Sequence, residues 1–331
     1  MKFTPMENQV SVLIAPYTPP GKLIGLARYM EELNIPEVWA AEDYFELSGF
    51  ASASIILGAT RNLHCGIGIV SAVARHPAVT AMDIATIANA FPGRLTVGIG
   101  HGVPFWVKQM GLYPKSPLKV LREVVTNIRA LLKGEVLTQR EGHFFFDNVK
   151  LTHICPDMDI VTGVVGEKSL QLSGEIADGT LASVMASPEY VRYANEQISI
   201  GAEKTGRTKH IFPVLATFAV DPDPEVAHNA ARNIIAPYIL AAGKTPLTGC
   251  LGYDDKVAEL QALGDPQKIA LAMPKEWIHK LAVTGTPEDC VAKIRALLDA
   301  GASQVALSLA LADRMEEQLQ VLSRDILPHF T

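Results

Sequence analysis

The stretch His64–Gly102 decides the fold: HCGIGIV (64–70), SAVARHPAVTAMDIATIANAFPGR (71–94) and LTVGIGHG (95–102). Its two short apolar runs, Cys65–Val70 and Leu95–Ile99, have strand length and are bounded by glycine or polar turns. Between them lie about four turns of helical pattern, with Pro77 at a first-turn position. Strand, helix and strand in that order predict parallel strands joined by a right-handed crossover. Both strands end in glycine-rich or polar turns, and the carboxyl edge of a parallel sheet is where ligands bind.

Working outward, the alternation continues. Upstream, Val10–Ala15 and Glu37–Ala41 read as strands, followed by helical patterns at 22–33 and 50–59. Downstream, Asp159–Gly163, Thr180–Val184, Ile211–Val220 and Gln304–Leu309 read as strands. Helical patterns accompany them at 118–132, 168–177, 188–204, from Glu225, and at 287–300. Eight strands, each paired with a helix and with no mid-chain break, predict one (β/α)8 TIM barrel over 1–331. An open doubly wound sheet is the rival. Two insertions interrupt the rhythm. After strand four, Gly134–Leu151 alternates like a hairpin. After strand seven, Gly243–His279 is rich in Gly and Pro and reads as a lid or insertion. His101–Ser116 reads as a long loop, and Asp221–Pro224 as a turn.

Composition narrows the classes. The 331 residues are 48% hydrophobic and 19% charged, enough for a large core. The net charge of −6, with no basic run, argues against nucleic acid and anionic membrane as partners. Cys65, Cys155, Cys250 and Cys290 have no CxxC spacing and fit buried thiols in a reducing compartment. The first residues lack a signal-peptide core and no apolar run has membrane-spanning length, so a soluble cytoplasmic protein is expected.

Several chemistries fail on inspection. The first strand lacks an HxH pair, and HExxH and clustered Cys/His ligands are absent, so no metal site is expected. No GxSxG elbow is present, and no lysine at a strand end suits a Schiff base. Gly98-Ile-Gly-His-Gly102 is GxGxG followed by Pro104, not a dinucleotide fingerprint. Val165-Gly166-Glu167-Lys168-Ser169 follows strand five and opens a helix. Its free N–H groups suit a phosphate, although an ordinary βα turn reads the same way. Glu42-Asp43-Tyr44-Phe45 ends strand two, where acid/base groups are expected, and capping of the next loop is the plain alternative. The aromatic residues Phe105, Trp106 and Tyr113 on the fourth loop can wall an apolar pocket or pack the loop. Arg75 reads as the partner of a carboxylate, and Trp39 as core.

Gly66–Ile69, Arg75-His76-Pro77-Ala78, Pro92-Gly93-Arg94, Gly98–Gly102, TGVVGEKSLQLSGEIADG (162–179) and VTGTP (283–287) together resemble the bacterial-luciferase-like superfamily of flavin and deazaflavin oxidoreductases. The third strand is most similar to the F420-dependent branch that includes methylene-tetrahydromethanopterin reductase. The resemblance implies a bulge with a non-proline cis peptide at Gly68-Ile69 beneath the cofactor ring. It places the cofactor phosphate at Val165, Gly166, Glu167, Lys168 and Ser169, with His101 and Gly102 beside its side chain. Asp43 would contact the ring or its hydroxyls, and Asp43 and Tyr44 would assist catalysis. Tyr44, Phe45 and Trp106 would line the substrate pocket. Relatives that oxidise a sugar phosphate carry histidine where Tyr44 stands and glutamate where Val103 stands, which argues against that substrate. The implied function is hydride transfer between coenzyme F420 and a small organic substrate. The alternatives are an FMN-dependent monooxygenase using oxygen, and a cofactor-binding protein without catalysis. The resemblance also implies a homodimer, with helices two and three as interface.

Overall fold

The computed structural model describes residues 9–330. Strands β1 (Val10–Ile14), β2 (Glu37–Ala40), β3 (His64–Ser71) and β4 (Leu95–Gly100) alternate with helices α1 (Leu23–Glu32), α2 (Gly49–Ala59) and α3 (Pro77–Ala90). After β4 come α4 (Pro104–Gln109), α5 (Pro117–Leu132), and the pair β5 (Leu137–Gln139) and β6 (Phe146–Val149). The alternation resumes with β7 (Ile160–Gly163), α6 (Glu167–Ile176), β8 (Gly179–Leu181), α7 (Pro188–Glu203), β9 (Pro213–Val220) and α8 (Pro224–Ala242). Four short helices follow: α9 (Pro246–Gly249), α10 (Asp254–Gln261), α11 (Pro266–Ala272) and α12 (Lys275–Leu281). The chain closes with β10 (Ala282–Gly285), α13 (Pro287–Asp299), β11 (Gln304–Leu309) and α14 (Met315–Val321).

Nine strands form one curled parallel sheet in the order β10–β9–β11–β1–β2–β3–β4–β7–β8. Isolated parallel bridges at Gly179–Ile211 and Ala182–Val214 link β8 back to the β9 segment. There Thr180 N donates to Ile211 O and Ala182 N to Pro213 O, both at 2.9 Å. The eight-strand expectation needs one correction, because β10 is an additional strand. Its four residues pair with the upper half of β9, from Ala282–Thr217 to Gly285–Val220. So short a run has no alternation of its own to read; its pairing partner makes it a strand.

Alternation along the strands divides the core in two. Val10, Val12 and Ile14 of β1 join the larger cluster between sheet and helices. Leu13, Trp39, Ala41, Val161, Leu181 and Ala306 turn to the inside of the curl, with Ile69, Ile211 and Leu215 against them. The interior also holds a polar chain. Trp39 Nε1 donates to Gln304 Oε1 at 2.8 Å and Ser11 Oγ to the same oxygen at 2.9 Å, while Gln304 Nε2 donates to Glu37 Oε2 at 2.8 Å.

The carboxylate of the ADG motif is a staple at the amino edge. Asp178 accepts from Arg129 Nη2 at 2.8 Å, Arg207 Nη1 at 2.9 Å and Ile160 N at 3.0 Å. The segment 134–151 contains the antiparallel β5–β6 pair, held where Glu123 accepts from His143 N and Phe144 N. The segment read as a lid or insertion at 243–279 is built of helices α9 to α12, and the long fourth loop holds α4. Among the described residues no helix is long and apolar enough to cross a membrane.

Candidate active site

The floor of the site is built from glycine. Three steps along β3, from Ile67 to Val70, match two along β4, from Val97 to Ile99, so β3 bulges at Gly68–Ile69. The Gly68–Ile69 peptide is cis, as the resemblance implied, and a second non-proline cis peptide joins Tyr44 to Phe45. The bulge turns Ile69 across its neighbours. A Cβ on Gly98 would lie 2.6 Å from Ile69 Cγ2, one on Gly100 2.5 Å from Ile69 Cδ1, and one on Gly163 2.6 Å from Ile69 Cγ2. The GxG of β4 is therefore a seat for Ile69. Gly102, at φ +75°, needs glycine for its backbone and also for space, since a Cβ would stand 2.9 Å from Ser71 Oγ.

The loop after β2 is fixed by a half-buried ion pair. Arg75 grips Glu42 with both amino groups, at 2.7 and 2.9 Å, and Gly49 N donates to the same carboxylate at 2.9 Å. Arg75 is thus a structural partner, as its sequence position suggested, and its guanidinium lies over Phe50. Beside this pair, Asp43 has no counter-ion among the described residues. Burial, with Glu46 and Glu42 adding repulsion, pushes its carboxyl up to about 6. Tyr44 turns its hydroxyl inward near Ser71, buried and without a well-formed hydrogen bond among the described residues. Phe45 projects from the rim, while Trp106 sits half-buried on α4 with Phe105 exposed beside it.

The turn after β7 has the features of an anion cradle. Gly166 is the N-cap of α6, no side chain caps it, and the first intrahelical bond is Leu170 N to Gly166 O. The N–H groups of Glu167, Lys168 and Ser169 thus remain available. A Cβ on Gly166 would meet nothing within 4 Å, so an approaching group has open space. Tyr190 Oη donates to Val165 O at 3.1 Å and steadies the turn from α7. His101 reaches the same place from β4: its Nε2 lies 3.4 Å from Ser169 Oγ, and Ser71 Oγ donates to His101 O at 3.3 Å. Burial holds the His101 imidazole below its ordinary range. Glu167 is exposed and stands near Tyr193 of α7.

A family model described as luciferase-like monooxygenase matches residues 2–304. The chain belongs to the luciferase-like monooxygenase family. A 5,10-methylenetetrahydromethanopterin reductase of Archaeoglobus fulgidus is 29% identical over 309 residues, covering 90% of this luciferase-like chain and 92% of the relative. An F420-dependent glucose-6-phosphate dehydrogenase of Nakamurella multipartita is 29% identical over 298 residues, covering 85% and 84%. The structure of a coenzyme F420-dependent tetrahydromethanopterin reductase from Methanopyrus kandleri superposes with a TM-score of 0.86 at 23% identity, over 98% of this chain and 100% of that one.

Two neighbours of the luciferase-like site escaped the sequence reading. Tyr17, between β1 and α1, and Tyr238, on α8, both stand near Glu46, and Tyr238 also stands near Asp43. Burial, with Asp43 foremost among the nearby charges, pushes the Tyr238 hydroxyl up to about 12. Only the path of α8 brings it there, and no local motif marks it. Among the described residues no group of three His, Cys, Asp or Glu could hold a metal ion.

Proposed function

We propose that this chain is an F420-dependent oxidoreductase that moves a hydride between a deazaflavin and a small organic substrate. The carrying observation is the convergence on one edge of the Gly68–Ile69 bulge, Asp43 and the uncapped α6 turn joined by His101. Relatives that span nearly the whole chain, and whose names include F420-dependent enzymes, support the same reading. The fold that serves it is read as a single closed (β/α)8 TIM barrel with insertions after strands four and seven, supported by the β8–β9 bridges. The insertion that follows α8 is read as a lid, because Tyr238 on α8 reaches the Asp43 loop.

In this reading the N–H groups of Glu167, Lys168 and Ser169, with the Ser169 hydroxyl and His101, hold the phosphate. Gly68 and Ile69 present main chain to the ring, Gly102 keeps the backbone close to the cofactor's side chain, and Val165 completes the turn. Coenzyme F420, when bound, supplies or accepts the hydride. Asp43 holds or releases a proton at its carboxyl oxygen near neutral pH, and the Tyr44 hydroxyl donates a hydrogen bond. Tyr44, Phe45 and Trp106 wall the pocket and exclude water, and positioning is the main demand on the protein. With Asp43 and Glu46 on its edge, the pocket disfavours a phosphorylated substrate.

The test is an anaerobic titration of purified protein with reduced and oxidised coenzyme F420 and with FMN, followed by oxygen. Saturable F420 binding and F420-linked turnover support the reading. Binding of FMN alone with oxygen consumption would replace it by the monooxygenase function. Tight F420 binding without turnover on any organic acceptor would favour a cofactor-binding protein.

A further inference from the structure

We propose that Lys108, Lys115 and Lys119 form a cationic rim that receives a polycarboxylate extension leading away from the phosphate turn. The inference rests on the coenzyme reading, because a deazaflavin coenzyme carries a γ-glutamyl tail beyond its phosphate and FMN does not.

The topology places these lysines on one side of the mouth. β4 and β7 are neighbours in the sheet, so the segments leaving their carboxyl ends lie side by side. Lys108 is on α4, which follows β4 directly. Lys119 is in the first turn of α5. That helix descends toward the amino edge, since Leu132 O at its far end accepts from Cys155 N just ahead of β7. Its start, with Lys115 two residues before it, is therefore at the carboxyl edge. Lys168 stands on the adjoining start of α6 and joins the rim to the phosphate turn.

Their charge is not spent. All three side chains are exposed, and among the described residues none is in an ion pair. Lys108 is held over the Tyr113 ring, 5.1 Å from its centroid, which leaves the ammonium open to an anion. The carboxylates nearest in sequence have other neighbours. Glu123, one turn beyond Lys119, accepts from the hairpin backbone and from Gln139. Glu175 on the neighbouring helix is taken by Arg122 at 2.5 Å. Glu167 stands near Tyr193 of α7. The loop after β2, which carries Asp43 and Glu46, is separated from the β4 segment by β3, so the charge pattern favours an anionic tail leaving on the β4–β7 side.

The experiment is a fluorescence titration of full-length protein with the coenzyme carrying several γ-glutamyl residues and with the same coenzyme trimmed to its phospholactyl stump. At low salt the long form should bind about five- to tenfold more tightly, the range for a few exposed ion pairs, and the advantage should shrink as salt rises. The triple variant K108Q/K115Q/K119Q should bring the ratio close to one while binding the trimmed form as wild type does. An unchanged circular dichroism melt confirms its fold. Equal affinity of the two forms for wild type, or a ratio that the variant preserves, would overturn the rim. Failure of both forms to bind wild type would overturn the coenzyme reading and the rim with it.

Discussion

Ile69 crowds three glycines at once, alongside the carbonyls of Ile67 at Gly98 and of Gly163 at Gly100, and this is where residue-level reading of the sequence reached its limit. Gly98, Gly100 and Gly163 were visible as turn-like glycines, but the side chain they accommodate comes from another strand. Gly98→Ala should therefore destabilise by about 1–3 kcal/mol in urea unfolding, as overpacking does. Adding Ile69→Ala should recover part of that loss, because the two groups compete for one volume. Strictly additive effects would show that the Ile67 carbonyl, 2.7 Å from the added Cβ, and not Ile69 is the obstacle. Asp43 makes a prediction in pH. Its folded-state carboxyl titrates near 6 against about 4 when exposed, so the folded protein keeps a proton the unfolded chain has lost. This contribution is present below pH of about 4 and fades as pH rises through about 6. Asp43→Asn should leave the melting temperature near wild type at pH of about 4 and raise it by a few degrees at pH of about 8. An offset constant with pH would contradict the assignment. Tyr238, by contrast, had no legible signal, since nothing local to α8 announces that its path ends over the loop of β2.

At the scale of elements, long strands and amphipathic helices were legible because their periodicity is local. β1 to β4, β9 and β11, with the helices between them, fall within a few residues of their sequence boundaries. The helices of the 243–279 segment were not legible, because each is shorter than the window over which a helical period can be recognised. The loop after β2 shows the same limit in its bonding. Arg75 signalled a carboxylate partner, but Glu42 lies 33 residues away and only the fold selects it. That pair anchors the loop carrying Asp43 and Tyr44 to the entry of α3. Glu42→Gln removes the bidentate carboxylate from Arg75, leaving Asp83 as its nearby charge, and weakens the bond from Gly49 N, so a loss of about 1–3 kcal/mol is expected in chemical denaturation. A loss under about 0.5 kcal/mol, the scale of ordinary surface substitutions, would mean that the pair is not what holds the loop.

The whole molecule has two features its elements do not explain alone. α2 and α3 are apolar on nearly every face, and they leave Ile55, Val79 and Met82 exposed. Such a surface suits a second copy of this chain. In the homodimer that the resemblance implies, Val79→Asp with Met82→Glu should halve the mass seen by sedimentation equilibrium, whereas a wild-type monomer would contradict the interface. The other feature is the assembled mouth, where a glycine floor, an uncapped helix turn and a lone carboxylate meet although they are distant in sequence. The most direct test is a crystal structure of the protein with coenzyme F420. The account predicts the deazaflavin ring against the Gly68–Ile69 peptide and the phosphate within hydrogen-bond distance of N–H groups in the 166–169 turn. A coenzyme seated away from both would contradict it.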